Sequence, residues 1–138
     1  MHRLVYVSAA SQPFSSADLL TLLSKARTNN QRLGVTGMLL FKDGDFLQLI
    51  EGESIAVQSV FATIRADRRH RNITVILEEE GGPRIFEDWS MRFRNLNDPQ
   101  VHATPGYSHY LNTPSIAKTF EKHPSAALQL LLLFRPDY

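Results

Sequence analysis

The chain contains no cysteine, which excludes disulfides, thiolate metal sites and cysteine nucleophiles. It has no surplus of either charge: 15 Lys and Arg stand against 14 Asp and Glu, for a formal net charge of +1. Such a balance gives no electrostatic drive toward nucleic acid or anionic lipid. Long apolar runs are missing too. The run at residues 4–7 stops at Ser8, too short for the apolar core of a signal peptide. The leucines at 130–133 fall far short of the about 20 apolar residues that span a bilayer. The expected setting is therefore the cytoplasm, with neither nucleic acid nor membrane as partner. There is no P-loop, no G-x-S-x-G and no RNA-recognition aromatic motif. His102, His109 and His123 sit in or beside loops without ligand spacing, so no metal site is expected.

At 138 residues the chain suits one domain with a core and little room for a second module. Residues 4–7 read as a short buried strand. Ser15 and Asp18 make a capping box, and Leu19, Leu22, Leu23 and Ala26 then follow at helical spacing, with Asn29 and Asn30 closing the helix. Residues 35–41 and 46–50 read as strands joined through Asp43-Gly44, a hairpin signature. Ser54 is placed to cap a second helix carrying Val57, Val60, Phe61 and Ile64 on one face, with Arg65, Arg68 and Arg69 near its end. A fourth strand is predicted at 73–77, followed by a solvated end at Glu78, Glu79 and Glu80, and a fifth strand at 89–93.

The order β-α-β-β-α-β-β fits a ferredoxin-like α+β sandwich, with two helices on one sheet face and the first and third strands side by side in its middle. This unit is expected over residues 1–96, with 97–138 as a linker and helical extension. Residues 97–114 have loop composition; Thr113-Pro114 opens a short helix through Phe120; His123-Pro124 breaks it. A last helix at 125–134 is apolar nearly all round, so it either covers the bare sheet face or meets a second subunit or partner.

Gln48 is out of place by composition. It lies between Leu47 and Leu49, with Phe46 and Ile50 on its own face, where an amide is costly unless matched. Tyr6, flanked by Val5 and Val7, has the same problem in the neighbouring strand. The two can satisfy one another, with Asn30 as a third polar group. On the residues alone, either this is a satisfied polar pair in a core, or it marks a pocket for a flat, polar, aromatic ligand.

The chain resembles the BLUF family, sensors of blue light using flavin, over residues 4–96. The resemblance is carried by Arg3-Leu4-Val5-Tyr6-Val7-Ser8, Asn29-Asn30, Val35-Thr36-Gly37-Met38-Leu39-Leu40 and Phe46-Leu47-Gln48-Leu49-Ile50-Glu51-Gly52-Glu53. It continues through Asp67-Arg68-Arg69-His70 and Trp89-Ser90-Met91. It implies a non-covalent flavin, FAD or alternatively FMN, between the two helices. Tyr6 would be the electron donor, and Gln48 would bond both Tyr6 and the ring. Asn30 would bond the ring's carbonyl edge, with Asn29 beside it. Leu22, Leu40, Phe46 and Ile64 would wall the ring, and Asp67, Arg69 and His70 would sit near the ribityl and phosphate end. Trp89 and Met91 would carry the output. The resemblance further implies a photoreceptor that signals through contacts with a downstream effector protein; the short stretch after Asn95 leads us to expect no enzymatic output of its own, and the apolar last helix to expect self-association. The reading from another class is a cofactor-free ferredoxin-like interaction module.

Overall fold

In the computed structural model of the chain, residues 1–86, 91–98 and 115–134 are described. The elements are β1 (His2–Ala10), α1 (Ser16–Leu33), β2 (Thr36–Lys42), β3 (Asp45–Gly52), α2 (Ser54–Ala66), β4 (His70–Glu80), β5 (Arg92–Asn95), α3 (Ile116–Lys122) and α4 (Pro124–Leu133). They build one five-stranded sheet in the order β4-β1-β3-β2-β5. The first four strands are antiparallel in the order of a ferredoxin-like sandwich, and β5 adds in parallel outside β2.

Local chemistry accounts for the frame. Ser15 and Asp18 form the reciprocal capping box that starts α1. The hairpin between β2 and β3 turns on Asp43 (φ 50°) and Gly44 (φ 83°), both left-handed as a two-residue turn of this hand requires. Gly37 has a different reason: a Cβ there would collide with the backbone carbonyl of Leu49 in β3.

Several boundaries differ from the sequence reading. α1 does not close at Asn29-Asn30 but runs another turn to Leu33, ending on Gly34 at φ 69°. Glycine takes the left-handed cap at lower cost than asparagine, so the asparagines stay inside the helix. The N-cap of α2 is Glu53, without a side-chain cap bond, and Ser54 is its first residue. β5 runs Arg92–Asn95, two residues beyond the expected end at 93, and positions 89 and 90 of the expected strand lie outside the described residues. Ser115 caps α3; Thr113-Pro114 lies outside the described residues.

The pleat separates two cores. On the helical face Leu4, Tyr6, Leu39, Phe46 and Ile50 pack with Leu19 and Leu23 of α1 and Val57, Val60 and Phe61 of α2. On the other face Val5, Val7, Met38, Leu40, Leu47 and Leu49 pack with Ile116 and Phe120 of α3 and Leu130, Leu131 and Phe134 at α4. The apolar last helix therefore covers the bare face of the sheet, where each fully buried Leu or Phe is worth about 1.5–3 kcal/mol. Among the described residues no helix is long and apolar enough to cross a membrane.

The acidic end of β4 is exposed but not merely solvated. Glu78 and Glu80 bond the two ring nitrogens of His2 at 2.7 and 2.6 Å, and Glu79 pairs with Arg3 at 2.8 Å. Beside them the fully buried Glu51 accepts from Arg3 Nε at 3.3 Å and from the backbone N–H groups of Ile85 and Phe86 at 3.0 and 2.5 Å. These bonds pin the segment that leads from β4 toward β5.

Candidate functional site

The register of the two central strands sets Tyr6 opposite Gln48, both on the helical face. The phenol donates to Gln48 Oε1, so each removes the other's burial cost. Burial, followed by the charge of Asp67, pushes the Tyr6 pKa well above the phenol range. The phenol therefore stays protonated at any physiological pH. The other end of the amide, Nε2, donates to Met91 Sδ at 3.4 Å. Met91 is only 2% exposed, just before β5, and its backbone carbonyl accepts from Arg27 Nε of α1 at 2.8 Å.

Above this pair the two helices stand apart and leave a cleft of about 280 Å³. Tyr6, Gln48 and Leu39 form its floor, Leu22, Lys25, Ala26, Asn29 and Asn30 of α1 one wall, and Val60, Thr63 and Ile64 of α2 the other. Asp67, Arg69 and His70 close one end. Asn30 is buried in the last turn of α1. Asn29 Oδ1 accepts from Arg32 at 2.7 Å.

Asp67 and Arg69 are a bound unit: the guanidinium donates to both carboxylate oxygens, its shortest contact 2.6 Å. Those bonds hold the Asp67 carboxyl below its usual range and raise Arg69. His70 Nδ1 lies 3.0 Å from Ser8 Oγ, and its ring packs 4.8 Å from that of Phe46. Burial, more than any charge, lowers its pKa.

The structure thus brings together Tyr6, Leu22, Asn29, Asn30, Gln48, Ile64, Asp67, Arg69 and His70. It does not bring Leu40, which the strand alternation turns into the opposite core; Leu39, paired with Gln48 across the hairpin, takes that place. Phe46 is fully buried on the helical face but supports His70 from beneath rather than lining the cleft. Trp89 lies outside the described residues. Sequence reasoning missed Lys25, Ala26, Leu39, Val60 and Thr63. The helical spacing from Leu22 and the hairpin register held the signal for the first three.

As a binding site this is a slot with aliphatic walls, the three primary amides of Asn29, Asn30 and Gln48 with a phenol toward one end, Asp67, Arg69 and His70 at the other, and Lys25 on the α1 wall. Amides offer both donors and acceptors, which suits the carbonyl and imine edge of a flavin ring, and Lys25 with Arg69 suits an anionic tail. The residues present fit that group.

Known proteins agree. The family model for BLUF, sensors of blue light using FAD, matches residues 1–92. The photoactivated adenylate cyclase subunit beta of Euglena longa is 36% identical over 135 residues, which cover 96% of this chain and 16% of that protein. Across the first curated relatives the chain spans only 13–16% of their length. Among solved structures, the dark state of BlrB, a BLUF protein, matches at a TM-score of 0.71 and 31% identity, over 93% of this chain and 96% of that one. The photo-activated state of BlsA matches at 0.76 and 26% identity, over 99% and 98%. A family match of that extent, on a sheet whose central strands pair a phenol with an amide beneath a slot between two helices, means that the chain belongs to the BLUF family of blue-light sensors, which use a flavin.

Proposed function

We propose that Tyr6 is the photochemical electron donor of this sensor and that the Gln48 amide stores the light signal. The observation that carries the reading is the chain of contacts Tyr6 Oη–Gln48 Oε1 and Gln48 Nε2–Met91 Sδ, buried at the floor of the cleft. A bound flavin supplies a ring that absorbs blue light and, once excited, accepts an electron. Tyr6 gives up an electron, and its phenolic proton leaves along the bond to Gln48 Oε1; both return, so the tyrosine is restored. What remains changed is the amide. Its oxygen accepts and its nitrogen donates, so a turned amide offers the phenol oxygen a donor in place of an acceptor. At Met91 the change is one-sided, because a thioether accepts weakly and cannot donate. Met91 therefore keeps its bond in one orientation and loses it in the other.

The cofactor in this reading is FAD, and the output leaves through protein contacts rather than through catalysis by this domain. Two features support that route. Arg92, next to Met91, donates from Nε to the backbone carbonyl of Phe134 at 3.2 Å, linking β5 to the end of α4. The relatives named as photoactivated adenylate cyclases contain a matching region within much longer chains, which supports an effector of nucleotide-cyclase type. Self-association would use the outer side of α4, where Leu132 is exposed.

The test is an absorption spectrum in the dark and after a blue flash, on the wild type and on Tyr6→Phe. The wild type should show a flavin band that moves slightly to the red and relaxes in the dark. Tyr6→Phe should bind flavin without that product. A Tyr6→Phe protein that still photocycles would overturn the donor assignment, and wild-type protein that takes up no flavin would favour an interaction module.

A further inference from the structure

Met91, which leads into β5, is fastened by two bonds of different kinds. Its sulfur accepts from Gln48 Nε2 at 3.4 Å, and its backbone carbonyl accepts from Arg27 Nε at 2.8 Å. The first bond can switch, because an amide has two unlike ends; the second cannot, because a guanidinium only donates. We infer that Arg27 is a positioning residue for the light signal. Its bond to the Met91 main chain holds the sulfur within reach of the Gln48 amide, and so sets the rate at which the lit state decays. The inference rests on the reading of Gln48 as the store of that signal.

Where the bond comes from is the first support. Arg27 belongs to α1, the helix that walls the slot with Leu22, Ala26, Asn29 and Asn30. Ala26 and Asn30 stand directly before Arg27 and within the helical turn after it. The rigid turn that faces the slot therefore also grips the segment that would carry the signal away. Gln48 touches the same Met91 from the floor of that slot. One residue is thus held from the wall and from the floor at once.

The second support is the place of Met91 itself. It stands just ahead of the β2–β5 ladder, whose first pair is Met38 with Arg92. A thioether is a weak acceptor, so its bond to the Gln48 amide depends closely on where the sulfur lies. At 2% exposure the side chain is closely packed, and a shift of its main chain passes to the sulfur. The third support is that Arg27 has no competing task. It is exposed on α1, and among the described residues its guanidinium makes no ion pair and bonds only the Met91 carbonyl.

The experiment is a double-mutant cycle on the flavin-loaded full chain: wild type, Arg27→Gln, Met91→Leu and the two together. Flash absorption follows the red-shifted product and its dark recovery in each. Arg27→Gln should form that product in full and change its recovery rate by about threefold to tenfold, the scale of one net hydrogen bond. In the Met91→Leu background no sulfur is left to place, so the same substitution should leave recovery within about twofold. In the dark, hydrogen exchange at Arg92–Asn95 should quicken severalfold in Arg27→Gln, because the clasp beside β5 is gone. Unchanged recovery or unchanged exchange in Arg27→Gln overturns the inference, as does loss of the red-shifted product. An equal change in both backgrounds also overturns it, since Arg27 would then act on α1 and the cofactor without Met91. A wild type that forms no red-shifted product overturns instead the reading of Gln48 on which the inference rests.

Discussion

Gln48 and Met91 are joined by a bond that works in one direction only: the amide nitrogen donates to the thioether sulfur at 3.4 Å, and the sulfur has nothing to return. A single side chain next to the Tyr6–Gln48 pair is thereby made sensitive to which end of an amide faces it.

Replacing Met91 should separate photochemistry from its consequence. Met91→Leu keeps the volume and removes the acceptor, a swap that costs less than about 1.5 kcal/mol in most cores. The red-shifted product should still form, since Tyr6 and Gln48 are intact, but its return to the dark state should change severalfold in rate. Flash absorption with dark recovery measures both. Unchanged recovery would show that the sulfur has no part in holding the amide.

Tyr6→Phe should carry a stability cost as well as a photochemical one. It leaves Gln48 Oε1 buried without its donor, a penalty of about 1–3 kcal/mol. Gln48→Leu removes the amide altogether and should abolish the red shift at a similar cost, because it leaves the buried Tyr6 hydroxyl without its acceptor, again about 1–3 kcal/mol. Urea unfolding of both variants orders the two penalties.

The two sheet faces predict opposite results for neighbouring leucines. Leu40→Ala should destabilise the protein by about 2–5 kcal/mol and leave flavin affinity and spectrum as they were, because Leu40 is in the core beneath α3 and α4. Leu39→Ala, in the floor of the cleft, should weaken flavin binding. Denaturant midpoints and flavin titration on the same two proteins decide it.

Two histidines should shape the pH profile of stability in opposite ways. Burial works against charge on His2, but the bonds to Glu78 and Glu80 outweigh it and raise its pKa in the folded state. Its contribution is therefore fully present below about pH 6.5 and lost as the pH rises through the folded value. Burial lowers the pKa of His70, so its contribution is present above about pH 6.5 and lost as the pH falls through the folded value. His2→Gln should flatten the alkaline side of the profile and His70→Gln the acid side, as read by thermal unfolding between pH 5 and 9, a range set by those two directions.

Much of this was legible in the residues, for local reasons. The Ser15–Asp18 box and the Asp43-Gly44 turn are contacts within a few residues, and both stand where the sequence places them. Tyr6 and Gln48 announced themselves as polar groups in apolar strands, and the pairing of β1 with β3 brings them together. What was lost depends on distance or on competition. Leu40 and Leu39 differ by one step in the pleat, and only the hairpin register says which of them shares the face of Gln48. The end of α1 was a contest between Asn29-Asn30 and Gly34, which the glycine wins on backbone freedom. Among the described residues the short β5 pairs with β2, more than 50 residues earlier, so the local pattern that suggested a strand there could not set its bounds. The His2 clasp with Glu78 and Glu80 is of the same long-range kind.

Met91 and Arg92 are consecutive, and they fasten to opposite layers of the molecule: one to Arg27 and Gln48 on the helical face, the other to the carbonyl that ends α4. Because side chains alternate along an extended backbone, this edge segment acts as a rivet through the sheet. A tilt of β5 would carry both heads of the rivet together, front and back moving in concert. A slide by one residue would exchange the two faces and break both fastenings at once. Any motion that begins at the amide and travels this way has to arrive on the far side of the sheet as one of those two, and measurements made on α4 alone would tell them apart.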